Sequence, residues 1–220
     1  TLVLNVVAML KQEARRPDLT DHSLARPTFG NAWQDFISLP KARRLLWALG
    51  LGTMGFTMQD ILLEPYGAQV LGLSVSDTTL LTAMFAGGMI LALILTSRRL
   101  DKGSDPIRVA STGVLIGITA FAFVILSAPF QAPALFQVGA ALIGLGNGLF
   151  AVGMLTAAMV FGGDKMAGLT LGAWGAVQAA AAGVAMFSGG AIRDLVTGWA
   201  DAGLLGVVLQ SPASGYGAVY

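Results

Sequence analysis

The chain has 220 residues, of which 55% are hydrophobic and 11% charged, with a mean hydropathy of +0.73; soluble domains carry roughly 25% charged residues, so a soluble globular fold is excluded. Thirteen Lys and Arg leave a net charge of +1, spread over short loops rather than gathered in one patch, so nothing marks a nucleic-acid partner. The absence of Cys excludes disulfides and thiolate metal sites.

Residues 1–10 form an apolar run too short to span a bilayer and without signal-peptide layout, read as the cytoplasmic end of a helix. Residues 11–44 form a polar, basic connector broken by Pro17, Pro27 and Pro40. Within it, residues 31–39 place Trp33, Phe36 and Ile37 at i, i+3 and i+4, the apolar face of a short helix. Such a helix either lies flat at the inner interface or packs on the ends of the bundle. A span then starts at Leu45 and ends near Pro65-Tyr66-Gly67, followed by an outer loop over residues 67–77 without Lys or Arg. Residues 78–96, 107–126, 134–161 and 166–192 are further spans, each free of Asp, Glu, Lys and Arg apart from Arg108 at the start of the second. Tight turns are expected at residues 127–133 and 162–165, and an outer loop at 193–214 with Trp199 near the interface. A last apolar segment begins at residues 215–220. With no Met at its start, the chain reads as the second half of a longer protein: the end of one helix, five full spans and the start of another. Residues 1–44 are thus a helix end plus connector, and 45–220 a transmembrane bundle.

The basic residues orient these spans. Lys11 to Arg44 precede the first full span, Arg98, Arg99, Lys102 and Arg108 separate the second from the third, and Lys165 separates the fourth from the fifth. Lys and Arg beside helix ends are held on the cytoplasmic side, so alternate loops are cytoplasmic. That places the loop with Arg98, Arg99, Asp101 and Lys102 inside. Arg193 alone breaks the pattern, and a local ion pair with Asp194 would make it tolerable.

Small residues recur one turn apart at Gly113 and Gly117, Gly144 and Gly148, Gly168 and Gly172, and Ala179 and Gly183. In lipid such faces mark where helix backbones touch.

Asp60 lies about 15 residues from the inner end of its span, roughly 22 Å along a helix and within a hydrocarbon core of about 30 Å. A charge there is expected to face the bundle interior or a cavity and to have a partner. Glu64 follows one turn on, and two ionised acids at that spacing repel. The pair reads equally as a proton or ligand site, or as an Asp60 bonded to a neighbouring helix beside a solvated Glu64. Gln59, Asn147 and Gln178 can bond across helices or offer carbonyl oxygens to a hard cation such as Mg²⁺. Trp174 lies too deep for the interfacial aromatic belt, so it packs inside or lines a cavity. No metal site is expected. His22, the only His, lies in the connector; there is no thiol, and no Gly-rich phosphate loop follows a strand. The chain is therefore expected not to be an enzyme.

Residues 59–75 read Q-D-I-L-L-E-P-Y-G-A-Q-V-L-G-L-S-V and 78–88 read T-T-L-L-T-A-M-F-A-G-G. Residues 172–183 read G-A-W-G-A-V-Q-A-A-A-A-G and 189–194 G-G-A-I-R-D. Together, from about residue 45 to the end, these resemble the PucC/LhaA family, also called the bacteriochlorophyll delivery family, of phototrophic bacteria. The resemblance implies an all-α integral membrane fold, the C-terminal half of a twelve-helix major facilitator bundle (end of helix six, helices seven to eleven, start of helix twelve). The loop at 98–103 departs from the superfamily's G-x-x-x-D-R-x-G-R-R pattern, with only Asp101-Lys102-Gly103 keeping its flavour. The family implies an assembly factor for light-harvesting antenna complexes, a chaperone in the bacterial inner (intracytoplasmic photosynthetic) membrane that delivers bacteriochlorophyll to antenna polypeptides. Its implied partners are those polypeptides, the reaction centre–core antenna complex, bacteriochlorophyll or its synthase, and membrane lipids. It carries over no catalytic residue. The pigment's Mg²⁺ would have to be held by Glu64, Asp60, Asn147, Gln178, a backbone carbonyl or water. Two alternatives stay open: a proton-coupled transporter of the same fold using Asp60 or Glu64, and a pigment-free scaffold that binds antenna polypeptides through a Gly-rich helix face.

Overall fold

The computed structural model describes residues 28–204 and 212–220, within two compact units, Thr1–Phe36 and Ile37–Tyr220. The helix end expected at residues 1–10, the connector as far as residue 27 with His22, and residues 205–211 of the expected outer loop lie outside the described residues. Helix α1 (Phe29–Ser38) starts two residues before the expected one. Along it the Phe29 and Trp33 rings stack with centroids 6.3 Å apart, and Trp33 and Phe36 lie at 5.9 Å.

In the larger unit, α2 (Pro40–Thr57) opens on Pro40, whose fixed φ suits a first turn and whose missing N–H leaves no bond unmade. It is followed by α3 (Leu63–Val70), α4 (Val75–Asp101) and α5 (Pro106–Ser127). One helical stretch, Pro133–Asp201, is broken at Gly163, whose φ of 47° favours glycine, into α6 (Pro133–Gly163) and α7 (Met166–Ala200). A short α8 (Pro212–Gly217) follows. Among the described residues there is no strand.

Helices α4 to α7 are long and apolar enough to cross a membrane. Their outward faces expose Ile90, Leu93, Leu115, Ile118 and Phe187, a surface that water would penalise and hydrocarbon accepts. The protein is an all-α integral membrane protein.

Several boundaries differ from expectation. The span expected from Leu45 to about Pro65-Tyr66-Gly67 is instead α2, which starts already at Pro40, a break at residues 58–62, and α3. Pro65 does not end that segment: it sits in the first turn of α3, where a proline interrupts no internal bond. The expected outer loop at 193–214 begins too early, since α7 continues through Arg193 to Ala200. The start of α4 at Val75 is set by a capping box, Ser74 Oγ accepting from the Asp77 N–H while Asp77 accepts from the Ser74 N–H.

Helix α6 is the centre of the bundle: 56% of its most apolar stretch is buried, against 17% in α4 and in α7. Its glycines let neighbours approach to backbone contact. A Cβ on Gly144 would strike the Phe85 carbonyl of α4, and one on Gly146 would lie 2.7 Å from the Gly113 carbonyl of α5. Two of the expected small-residue faces, Gly113/Gly117 and Gly144/Gly148, are therefore helix contacts. The α7 face is different, for around Gly168, Gly172 and Gly183 there is open space among the described residues.

Candidate functional site at a broken helix

The distinctive Q-D-x-L-L-E-P-Y-G segment forms the break after α2. Here the α-helical ladder gives way: the Asp60 N–H bonds the Thr57 carbonyl at 3.1 Å, and the Leu62 and Leu63 N–H groups share the Gln59 carbonyl at 2.8 and 3.1 Å. Helix ends leave carbonyls without partners. The buried Gln59 side chain answers one of them, its Nε2 donating to the Phe56 carbonyl at 3.2 Å and to Asp60 Oδ1 at 2.8 Å. Both neighbours of Nε2 are acceptors, which fixes the amide's orientation. Its Oε1 is buried without a hydrogen-bond partner. On α7, Gly189 makes room for the break, since a Cβ there would collide with the Met58 carbonyl.

Asp60 is exposed and bonded to Gln59. Glu64, in the first turn of α3, accepts from Thr82 Oγ1 of α4 at 2.7 Å. The two acids therefore stand on either side of a helix start, each with its own partner. Asn147 is half-buried on α6 between glycines that face α5 and α4. Gln178 is half-buried on α7, and Trp174 packs against the core with its Nε1 buried and unpartnered. Among the described residues no hydrogen bond joins Asn147, Trp174 or Gln178 to Gln59 or to either acid, so the six candidates are one bonded pair and four separate groups. Arg98, Arg99 and Asp101 lie in the last turn of α4 and Lys102 caps it, placing cations where the helix dipole favours them. Arg99 and Arg108 line a polar recess of about 470 Å³ with Ser104 and Asp105.

A second polar cluster was not legible in the sequence. Arg193 pairs with Asp194 at 2.8 Å, as its neighbour suggested. It also donates to Gln69 Oε1 at 3.3 Å and to the Tyr216 hydroxyl at 3.1 Å, and lies over the Tyr216 ring. Tyr216 donates to the same Gln69 oxygen at 2.7 Å, so one amide ties α3, α7 and α8. Only the misplaced Arg193 hinted at this. Gln69→Leu removes the shared acceptor; it is expected to cost about 1 kcal/mol, seen as a melting temperature lower by roughly 2–4 °C in detergent. An unchanged melting curve would mean the cluster contributes nothing.

The model of the family described as PUCC protein matches residues 1–220. The chain belongs to the PucC family. A Rhodobacter capsulatus relative described as an uncharacterized protein in the puhA-bchM intergenic region is 49% identical over 221 residues, covering all of this chain and 46% of its own. Protein PucC of Rhodovulum sulfidophilum is 46% identical over 199 residues, 89% of this chain and 44% of its own. The bacteriochlorophyll synthase 44.5 kDa chain of Rhodobacter capsulatus is 31% identical over 168 residues, 71% of this chain and 38% of its own. The chain spans about half the length, or less, of these curated PucC-type relatives. No solved structure matches it.

Proposed function

We propose that this PucC-family chain belongs to an antenna-assembly factor that binds bacteriochlorophyll and passes it to light-harvesting polypeptides, acting by binding and delivery rather than catalysis. In this proposal α2 to α7 are helices seven to eleven of a major facilitator bundle in the bacterial inner (intracytoplasmic photosynthetic) membrane, with the basic connector cytoplasmic. Antenna polypeptides, the reaction centre–core antenna complex, the pigment or its synthase, and lipids are the partners. Family membership and a relative named as a bacteriochlorophyll synthase chain support the pigment. The observation that carries the reading is the buried, unpartnered Oε1 of Gln59 at a helix break. Non-helical backbone at membrane depth persists where it is buried in protein or lines a cavity, and an unused acceptor oxygen there suits a hard cation such as the pigment's Mg²⁺.

The same break favours a second reading, a transporter with Asp60 or Glu64 as proton site, since discontinuous helices build transporter sites. Visible and near-infrared absorption of the full-length protein purified in mild detergent separates them. Delivery predicts pigment retained without antenna polypeptides, and retention about tenfold weaker in Gln59→Leu. Antenna polypeptides without pigment would leave the scaffold. Proton-coupled uptake abolished by Asp60→Asn or Glu64→Gln, with antenna levels unchanged, would establish the transporter.

A further inference from the structure

We infer that a groove between α2, α5 and α6, at the end of the bundle carrying the basic residues, holds one anionic phospholipid of the surrounding leaflet. The groove has a volume of about 770 Å³. Its floor is apolar and buried (Leu45, Ala110, Phe150, Met154), its walls include the exposed Leu51 and Val114, and Lys41 and Arg44 stand at its mouth. Because those walls are exposed, a molecule can enter sideways from the bilayer.

Its length selects the occupant. On α2 the lining runs from Lys41 to Gly52 and on α6 from Phe150 to Phe161. Eleven residues of helix rise about 16 Å, close to half of a hydrocarbon core of about 30 Å. The groove is one leaflet deep, with its charge at one end and hydrocarbon walls below, the layout of a single lipid.

Charge selects the headgroup. The N-terminus of a helix carries partial positive charge and is stabilised by acids or capping side chains. Helix α2 has neither: Leu39 makes no side-chain cap, its first turn holds no acid, and Lys41, Arg43 and Arg44 crowd the same end. Among the described residues the ion pair present is Arg193–Asp194, which involves none of them. An anion at the mouth relieves both the cations and the helix end. Among the described residues the acid that lines the groove is Asp105, which is engaged as the N-cap of α5, accepting from the Ile107 N–H at 2.8 Å. A zwitterionic lipid brings its own cation and offers less.

The test uses the full-length protein, delipidated in detergent and titrated with phosphatidylglycerol, phosphatidylcholine or inorganic phosphate, with bound molecules counted by native mass spectrometry. Phosphatidylglycerol is expected to bind about tenfold more tightly than phosphatidylcholine. Lys41→Gln with Arg44→Gln removes that preference but leaves binding that depends on the tails. Ala48→Trp fills the groove and weakens both lipids; if it does not fold, Val114→Trp on the opposite wall serves the same purpose. Asp105→Asn keeps the cap and tightens phosphatidylglycerol binding. Equal binding of the two lipids, a preference that survives the double substitution, displacement by inorganic phosphate, or a pigment or peptide that phosphatidylglycerol cannot displace would each overturn the proposal.

Discussion

Replacing Gly144 with leucine is expected to cost this protein most of its folded yield. A side chain there would meet the Phe85 carbonyl, and that neighbour is backbone, unable to swing aside as a long side chain could. Helix α4 would have to move off α6, the most buried helix of the bundle. Overpacking costs typically 1–3 kcal/mol and more where backbone must shift; about 3 kcal/mol lowers the melting temperature by roughly 6–12 °C. Gly172→Leu is the control. It has no neighbour within reach among the described residues, so it is expected to stay within about 0.5 kcal/mol of the wild type. Scanning fluorimetry and size-exclusion profiles in one detergent compare them, and equal stability of the two variants would contradict the packing described here.

The second large effect is expected at Tyr66. Its ring is 2% exposed and lies 5.2 Å from Phe136 and 5.5 Å from both Tyr216 and Tyr220, centroid to centroid. Its hydroxyl donates to the Val124 carbonyl of α5 at 3.2 Å. Tyr66→Ala empties the point where α3, α5, α6 and α8 meet, and is expected to cost about 3–5 kcal/mol, as aromatic-to-alanine changes in cores do. Tyr66→Phe keeps the ring contacts and loses one hydrogen bond, about 1 kcal/mol. Thermal unfolding distinguishes them, and hydrogen exchange at α8 should rise in Tyr66→Ala only. If alanine and phenylalanine proved alike, the ring cluster would not be what anchors α8.

The spans expected at 107–126 and 134–161 match α5 and α6 to within two residues at each end, because a charge-free run of that length has few ways to satisfy its backbone in lipid. The segment around Asp60 was less legible. An Asp and a Glu four apart suggested one helical face, whereas Gln59 turns back onto the Phe56 carbonyl and opens a break between them. Nothing local signals that turn, since Gln59 can also sit in a continuous helix and is held here by burial. The end of α7 lies beyond the expected residue 192 for a related reason. Arg193 and Asp194 look like loop charges, yet Asp194, Gln69 and Tyr216 bond the arginine's two terminal nitrogens while the helix continues, its Nε staying buried without a partner.

By itself the sequence determined that the chain is a bundle of membrane helices, where the charge-free spans lie, and which residues are small enough for helices to touch. It also carried the Q-D-x-L-L-E-P-Y-G segment that marks the family. Tertiary structure alone decided which small-residue faces are used: Gly113/Gly117 and Gly144/Gly148 meet neighbouring helices, while Gly168 and Gly172 meet none among the described residues. The reason is physical. A helix's own periodicity defines its faces, but whether a face has a neighbour depends on where residues distant in the chain come to rest.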